Sequence, residues 1–246
     1  MHAELSRVFK YYDNEPSLWV AIVTGNGRAF SAGYDLKEAA GIDFIEPDLT
    51  GLDPNGEPDC QGVVGGTGFA GLTDRQALAD GTQGIKPVIA AVNGIAHGGG
   101  FETALACDVI IACDDSDFAL PEPKVGLFAG AAGVLRLPRF IPYHKAMSMI
   151  LTGRRVKAEE GYEMGFVSQV VSGGANEVVA AALDFASQVL LCSPDAIQAS
   201  MQVVKKTMAE HYPGDIVGSL RAQRSYPAAV RMNKGPNRIE VRLPIG

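Results

Sequence analysis

The alternation of apolar and polar positions predicts helices and buried strands in the first half of the chain. Residues 3–13 place apolar side chains at helical spacing, which predicts a short amphipathic helix. Three later segments are nearly continuous apolar runs bounded by turn residues: Leu18–Thr24, Pro87–Val92 and Val109–Cys113. Strands buried on both faces have this pattern, so the sequence predicts an α/β fold with a parallel, helix-covered sheet.

The pattern becomes helical from Tyr143 onward. Ser193, followed by Pro194 and Asp195, supplies an N-cap, a proline at the first helical position and an acid in the first turn. Ala196–Glu210 then continues without a helix breaker, and Gly165 is expected to end an earlier helix. The chain is therefore predicted to have an α/β part at its N-terminal end, followed by a helical part.

A glycine-rich stretch separates the first two predicted strands. Gly41–Gly84 contains ten glycines and three prolines. Such composition is typical either of a mobile loop that lines a pocket or of a weakly ordered insertion. Both interpretations stay open at this point.

Composition excludes several classes of protein. The 246 residues are 47% hydrophobic and carry a net charge of −7, which excludes disorder and argues against a duplex-binding protein. No run of about 18 apolar residues predicts a membrane span, and the first residues do not resemble a signal peptide. The four cysteines show no CxxC spacing, so reduced thiols and a cytoplasmic location are expected.

The first candidate site is a run of three glycines, Gly98–Gly100, between a predicted strand and a helix-forming segment. Glycines at a helix start let a ligand approach backbone N–H groups, and the helix dipole favours negative charge there. The run therefore suits an oxyanion or a phosphate, although a tight turn would explain it equally well. We interpret His97 as a packed side chain because the sequence places no metal-ligating neighbours around it.

A second glycine-rich turn, residues 25–37, follows the first predicted strand. No obvious helix opens after it, so a dinucleotide-binding motif is disfavoured. The Ala32-Gly33 step would expose a further N–H at Tyr34. Taken alone, this segment predicts only a turn.

Two carboxylates lie in apolar sequence, Glu102 beside the glycine run and Glu122 between two prolines. An apolar setting raises the pKa of a carboxyl group and suits general acid–base catalysis. A solvent-facing acid at a helix start or in a turn is the alternative for each.

Together these segments resemble the enoyl-CoA hydratase/isomerase, or crotonase, family. The resemblance extends from about Leu5 to Glu210. It is carried by VAIVTGNGRAFSAGYDLKEA, IKPVIAAVNGIAHGGGFETALACDVIIA, FALPEPKVGL and LTGRRVKAEEGYEMGFVSQVV. It implies a crotonase-like spiral of ββα repeats followed by a C-terminal helical region.

The resemblance also implies roles for individual residues. A thioester carbonyl would bind between the N–H groups of Tyr34 and Gly99, with Glu102 orienting a water and Glu122 serving the α-carbon. The substrate-binding residues implied by position are Ala32, Asp35, Lys37 and Gly98, with Lys37 facing the CoA end.

The implied reaction is the reversible addition of water to 2-enoyl-CoA thioesters. Hydratase members carry both glutamates, whereas isomerase members generally keep only the second. No metal and no organic cofactor is implied, because CoA enters as part of the substrate. A carnitinyl-CoA dehydratase, another crotonase-family enzyme such as an isomerase, and a non-catalytic acyl-CoA-binding remnant remain open alternatives.

The resemblance further implies a crotonase core in residues 1–175 and a helical trimerisation region in residues 176–246. Relative to the family pattern, the hairpin ahead of the first helix is expected to be missing, and the sequence ends in NRIEVRLPIG. Residues 130–133 read Gly-Ala-Ala-Gly where the family has GAGG, which predicts modest crowding. The apolar excess of Asn176–Glu210, with the resemblance, implies a homotrimer or a dimer of trimers.

Overall fold

The computed structural model describes residues 2–33, 86–127 and 129–210, so the interpretations of Gly41–Gly84 lie outside the described residues. The helices are α1 (His2–Asn14), α2 (Gly99–Leu105), α3 (Gly133–Phe140), α4 (Tyr143–Thr152), α5 (Ala158–Met164), α6 (Ala175–Leu190) and α7 (Pro194–Glu210), with a 3-10 helix at Glu122–Val125. The strands are β1 (Ala21–Thr24), β2 (Ala29–Ser31), β3 (Val88–Val92), β4 (Ile95–His97), β5 (Val109–Cys113), β6 (Asp117–Ala119), β7 (Val156–Lys157) and β8 (Gln169–Val171).

The larger sheet has the strand order β1-β3-β5-β8 and every neighbouring pair is parallel. Its central strand β3 is buried along its whole length. Alternate side chains of a strand point to opposite faces, so Val88, Ala90 and Val92 join one core cluster while Ile89 and Ala91 join another. This confirms the predicted parallel sheet covered on both faces.

Helix α6 covers one face of this sheet. Val178, Ala182 and Ala186 recur at a spacing of four residues and pack against Ile89 and Ile111. The small alanines let the helix lie close to the sheet. The opposite face of the sheet packs against the elements that carry the candidate site.

A smaller sheet has the strand order β2-β4-β6-β7. It packs against the face of the larger sheet that is opposite α6. Its first three strands are parallel and β7 runs antiparallel. The sequence predicts that β3 runs directly into the glycine turn, and this prediction is wrong. Instead the chain crosses to the smaller sheet as β4 and reaches the glycines from there.

Three phenylalanines fix α2 against the smaller sheet. The rings of Phe101, Phe118 and Phe166 lie with centroids 5.2 Å apart in all three pairs, in tilted or edge-on orientations. These are favourable geometries for aromatic side chains, and both Phe101 and Phe118 are fully buried. The cluster fixes α2, which carries Glu102, and β6, which precedes Glu122 in the chain.

The predicted helix boundaries are confirmed. Helix α1 spans His2–Asn14, and Gly165 ends α5 in the left-handed conformation with a φ of +100°. The Ala196 N–H donates to Ser193 Oγ at 3.4 Å at the start of α7. These contacts match the cap residues that the sequence indicated.

The apolar excess at the C-terminal end is exposed in the single chain. On α6 and directly after it, Leu183 and Leu191 are 55% and 88% exposed, and on α7 Val203 is 65% exposed. The trimeric assembly and the domain division after residue 175 stay predictions. Within the described segments no single helix is long and apolar enough to cross a membrane, although the bent pair Ala175–Leu190 and Pro194–Lys205 meets the length and composition criteria together.

A buried lysine anchors α1 to the larger sheet. Lys86, 7% exposed, donates from Nζ to the carbonyl oxygens of Tyr12 at 2.9 Å and Glu15 at 2.7 Å. These carbonyls lie at the C-terminal end of α1, where cations interact favourably with the helix dipole. The Tyr12 hydroxyl donates in turn to the Pro87 carbonyl at 2.8 Å.

Replacing Lys86 with methionine keeps the apolar stem and removes both hydrogen bonds. Leaving two buried carbonyls without their donor lowers the free energy of unfolding by about 2 kcal/mol. For a chain of this size the melting temperature then falls by about 4–8 °C at fixed protein concentration. The matched control is Lys10→Met on the exposed side of α1, and equal melting temperatures for the two variants would contradict the anchoring role.

Candidate active site

Glu102 is buried within α2. Its side chain is 1% exposed, and its Oε1 accepts the backbone N–H of Gly133 at 2.8 Å. Gly133 is the first residue of α3, so the donated N–H is one that has no acceptor inside that helix. The N-terminus of α3 therefore fixes one oxygen of the carboxyl group.

Burial dominates the protonation of Glu102. Removal from water, assisted by the nearby charge of Glu122, raises the pKa of this carboxyl group to about 8. The Gly133 hydrogen bond and the charge of Arg136 act in the opposite direction without cancelling the effect of burial. Glu102 is therefore mostly protonated at neutral pH.

Glu122 begins the 3-10 helix between Pro121 and Pro123. Its Oε2 is buried and has no hydrogen-bond partner among the described residues. Burial raises the pKa of this carboxyl group as well. A buried carboxyl oxygen without a partner is costly for stability, which is typical of a group held ready for chemistry.

The glycine run brings the turn at α2 against Glu122. Gly98 caps α2 with a φ of +52°, and a Cβ built on it would lie 2.9 Å from Glu122 Oε1. The Gly98 N–H donates to the Ala119 carbonyl at 2.9 Å, so it is already engaged. Gly99, the first residue of α2, has an N–H for which the described part of the chain offers no acceptor.

The second glycine-rich turn meets the first. Gly33 has a φ of +91°, and a Cβ on it would lie 2.9 Å from the His97 carbonyl oxygen and 3.1 Å from the Gly99 nitrogen. Ala32 is exposed beside this contact. The predicted site residues Tyr34, Asp35 and Lys37 lie outside the described residues.

Sequence reasoning did not foresee the role of the turn before α3. A Cβ on Gly133 would lie 2.8 Å from Glu102 Cγ, so only glycine fits at the position that donates to this carboxyl group. Ala132 before it has a φ of +74°, and no other non-glycine residue in the described ranges has a positive φ. The sequence predicts crowding in this turn. In the structure it takes the form of a left-handed backbone conformation at Ala132, which costs about 1 kcal/mol of conformational energy.

His97 is packed, as predicted, and its partner is Asp117. The imidazole Nε2 is hydrogen-bonded to Asp117 Oδ1, with the two side chains 13% and 8% exposed. No local sequence pattern indicates this pair. In the segments that the structure describes, no three His, Cys, Asp or Glu side chains lie together as metal ligands would.

Comparisons with known proteins show the family of this chain. The family model described as enoyl-CoA hydratase/isomerase matches residues 68–244. A carnitinyl-CoA dehydratase of Citrobacter koseri is 43% identical over 205 residues, which cover 83% of this chain and 70% of that protein. A carnitinyl-CoA dehydratase of Salmonella arizonae is 41% identical over 231 residues, 92% of this chain and 78% of that protein.

Solved structures show the same fold. A carnitinyl-CoA hydratase of Mycobacterium avium superposes with a TM-score of 0.72 at 32% identity, covering 90% of this chain and 78% of that one. An enoyl-CoA hydratase of Mycobacterium tuberculosis gives a TM-score of 0.68 at 33% identity, covering 92% and 78%. The predicted crotonase-like α/β fold is confirmed, and the chain belongs to the enoyl-CoA hydratase/isomerase family of enzymes that act on CoA thioesters.

Proposed function

We propose that this enzyme reversibly adds water to the double bond of 2-enoyl-CoA thioesters and forms 3-hydroxyacyl-CoA. The observation that carries the proposal is the pair of carboxyl groups, buried Glu102 and partly buried Glu122, next to a turn whose Gly99 N–H has no acceptor among the described residues. Isomerisation needs one proton-transferring group, whereas hydration needs groups for both a water and a carbon. The second carboxyl group, Glu122, therefore favours hydration.

The Gly99 N–H is proposed to stabilise the enolate oxygen. Addition of hydroxide to the β-carbon places negative charge on the thioester oxygen, and a preorganised N–H aimed there lowers the barrier by about 3 kcal/mol. Gly33 lies against the Gly99 nitrogen. We assign the second N–H to Tyr34 on the resemblance to the family.

The two glutamates are proposed to share one proton in the active form. In dehydration, ionised Glu122 removes the α-proton while protonated Glu102 delivers a proton to the leaving hydroxyl group. In hydration the roles are reversed: ionised Glu102 takes a proton from the attacking water, and protonated Glu122 delivers a proton to the α-carbon. The raised pKa of Glu102 matches the dehydration direction, in which this group starts protonated; for hydration the proton starts on Glu122, whose pKa burial also raises.

Every bond change in this reaction is a proton transfer or an addition of water, so the proposed mechanism has no redox step, and we propose no metal or organic cofactor for it. CoA is part of the substrate. Gly98, Ala32, Asp35 and Lys37 are proposed to bind it, with Lys37 near the phosphates because the chain is acidic overall. The homotrimer or hexamer and the cytoplasmic location remain proposals drawn from the family resemblance and from the sequence.

The second candidate is a carnitinyl-CoA dehydratase. The same chemistry acts on both substrates, and relatives with that name are 41–43% identical to this chain. Rates with crotonyl-CoA, a longer 2-enoyl-CoA and a trimethylammonium-bearing CoA thioester distinguish the two. A preference of tenfold or more in kcat/KM for the trimethylammonium substrate would replace the leading proposal, and no turnover of any of them would favour the acyl-CoA-binding remnant.

Replacing either glutamate with glutamine removes the proton-transferring group and keeps the shape. Glu102→Gln retains an oxygen that accepts the Gly133 N–H, so we expect the fold to persist. The expected loss in kcat is about 10²–10⁴-fold for Glu102→Gln and for Glu122→Gln. Glu163→Gln, on the exposed side of α5, is the matched control. Turnover within threefold of wild type in either active-site variant would remove that residue from the mechanism.

The pH profile of kcat/KM is expected to be bell-shaped, because the active form carries one proton on the coupled pair. Rising pH ionises Glu102, whose pKa is about 8, and activity then falls because neither carboxyl group retains a proton. At low pH both groups are protonated and activity falls again. A rate that stays constant from pH 7 to 9.5 would contradict the shared proton.

Gly99→Pro tests the oxyanion donor. Proline is tolerated at the first position of a helix but has no N–H. We expect kcat to fall by about 10²–10³-fold, the usual effect of removing one such donor. Circular dichroism checks that the helix content is unchanged, and a folded variant with kcat within tenfold of wild type would contradict the assignment.

A further inference from the structure

The pair formed by His97 and Asp117 lies at the end of β4, where His97 is two residues before the proposed oxyanion donor Gly99. His97 is the last residue of β4, and the chain passes from it through Gly98 to Gly99. Asp117 begins the adjacent strand β6. The residue register pairs His97 with Ala119, so the imidazole and Asp117 lie on one face of the smaller sheet.

The backbone of the turn is fixed on the same strand. The Gly98 N–H donates to the Ala119 carbonyl at 2.9 Å, and the His97 carbonyl lies against Gly33. These contacts hold the turn at its backbone but leave the direction of the His97 side chain open. The Asp117 carboxylate fixes that direction.

Asp117 is itself held by the next strand. Lys157 Nζ lies 3.6 Å and Arg155 Nη1 lies 3.8 Å from its Oδ2. The two cations are 64% and 67% exposed, whereas Asp117 is 8% exposed. A connected set of charged and polar groups therefore runs from β7 through β6 to the end of β4.

Stability alone does not explain this pair. Ionisable groups lose hydration on burial, and apolar residues of similar size are often as stabilising. The neighbouring side chains Ala96 and Phe118 show that these strands pack well through apolar contacts on their other face. What the imidazole and the carboxylate add is a directional contact at the residue that leads into the turn.

Neutral imidazole suits this contact. Burial lowers the pKa of His97, while Asp117 acts to raise it and the positive charges of Arg155 and Lys124 act to lower it. The net direction is downward, so at neutral pH the Nε2–H of a neutral ring donates to the carboxylate.

We propose that His97, held by Asp117, is a positioning residue that aims the Gly99 N–H at the thioester oxygen. The proposal rests on the proposed function, since it takes the Gly99 N–H as the donor to the thioester oxygen. Displacing a catalytic donor by about 1 Å can cost up to about 10²-fold in rate. Loss of the contact is therefore expected to reduce kcat more than KM.

The test compares His97→Phe, which keeps the ring and loses the hydrogen bond, with His97→Gln, which places an N–H donor near the position of Nε2. We expect His97→Phe to lower kcat by about 10–100-fold with KM within threefold, and His97→Gln to recover at least half of that loss on a logarithmic scale. Asp117→Ala should match His97→Phe, and the double variant should be no slower than either single variant. His144→Phe, at an exposed histidine on α4, is the matched control.

A spectroscopic readout separates positioning from general stability. Butyryl-CoA labelled with ¹³C at the carbonyl carbon has no double bond to hydrate, so its infrared carbonyl band reports the hydrogen bonds made in the site. We expect the bound band to shift to lower frequency in the wild-type enzyme and to return toward its solution position in His97→Phe, measured at a temperature at which both proteins are fully folded.

The outcomes distinguish two failures. If the wild-type enzyme hydrates none of the thioesters, the proposed function fails. If the wild-type enzyme is active and His97→Phe keeps its kcat and its bound carbonyl frequency, the proposed function stands and the positioning role is overturned. A rate loss without a band shift, or without recovery in His97→Gln, also overturns it.

Discussion

The close approach of backbone to backbone at the start of α2 is the constraint on which the rest of this structure depends. A Cβ on Gly100 would lie 2.1 Å from the Ser31 carbonyl oxygen, and one on Gly33 would lie 2.9 Å from the His97 carbonyl oxygen. Strands β2 and β4 and the first turn of α2 therefore meet without intervening side chains. Through this contact Gly99 lies against Gly33, and the preceding residue, Gly98, lies against Glu122.

Apolar packing around the site offsets the unfavourable free energy of burying its carboxyl groups. The buried carboxyl group of Glu102 and the buried Oε2 of Glu122, which has no partner among the described residues, oppose folding when they are charged. The fully buried strand β3 and the three-phenylalanine cluster supply apolar contacts on the same elements. The rigid packing also keeps Glu102 out of water, which raises its pKa and gives the site a proton at neutral pH.

Much of the fold follows from local patterns in the sequence. The apolar runs of β1, β3 and β5 predicted a parallel sheet because strands buried on both faces leave no polar alternation. Gly165 and Ser193 predicted helix ends because cap geometry depends on a few neighbouring residues. Glu102 and Glu122 were identified from their apolar surroundings and from the family resemblance, and the structure shows both with raised pKa values.

The smaller sheet and the contacts that support the site were not predictable in this way. Strands of two or three residues, such as β4 and β7, are too short to show periodicity. The hydrogen bond from Gly133 to Glu102 joins residues 31 positions apart, and the contact between His97 and Asp117 joins residues 20 apart. Such pairs depend on the register of neighbouring elements, which sequence spacing does not specify.

The two carboxyl groups are proposed to add water across a carbon–carbon double bond. This proposal is tested by turnover of crotonyl-CoA in H₂¹⁸O and, separately, in D₂O, with the products analysed by mass spectrometry. We expect a 3-hydroxyacyl thioester with one ¹⁸O at C3 in the first solvent and one deuterium at C2 in the second. Release of free CoA with ¹⁸O in a carboxylate, or deuterium incorporation without addition of oxygen, would exclude hydration of the double bond.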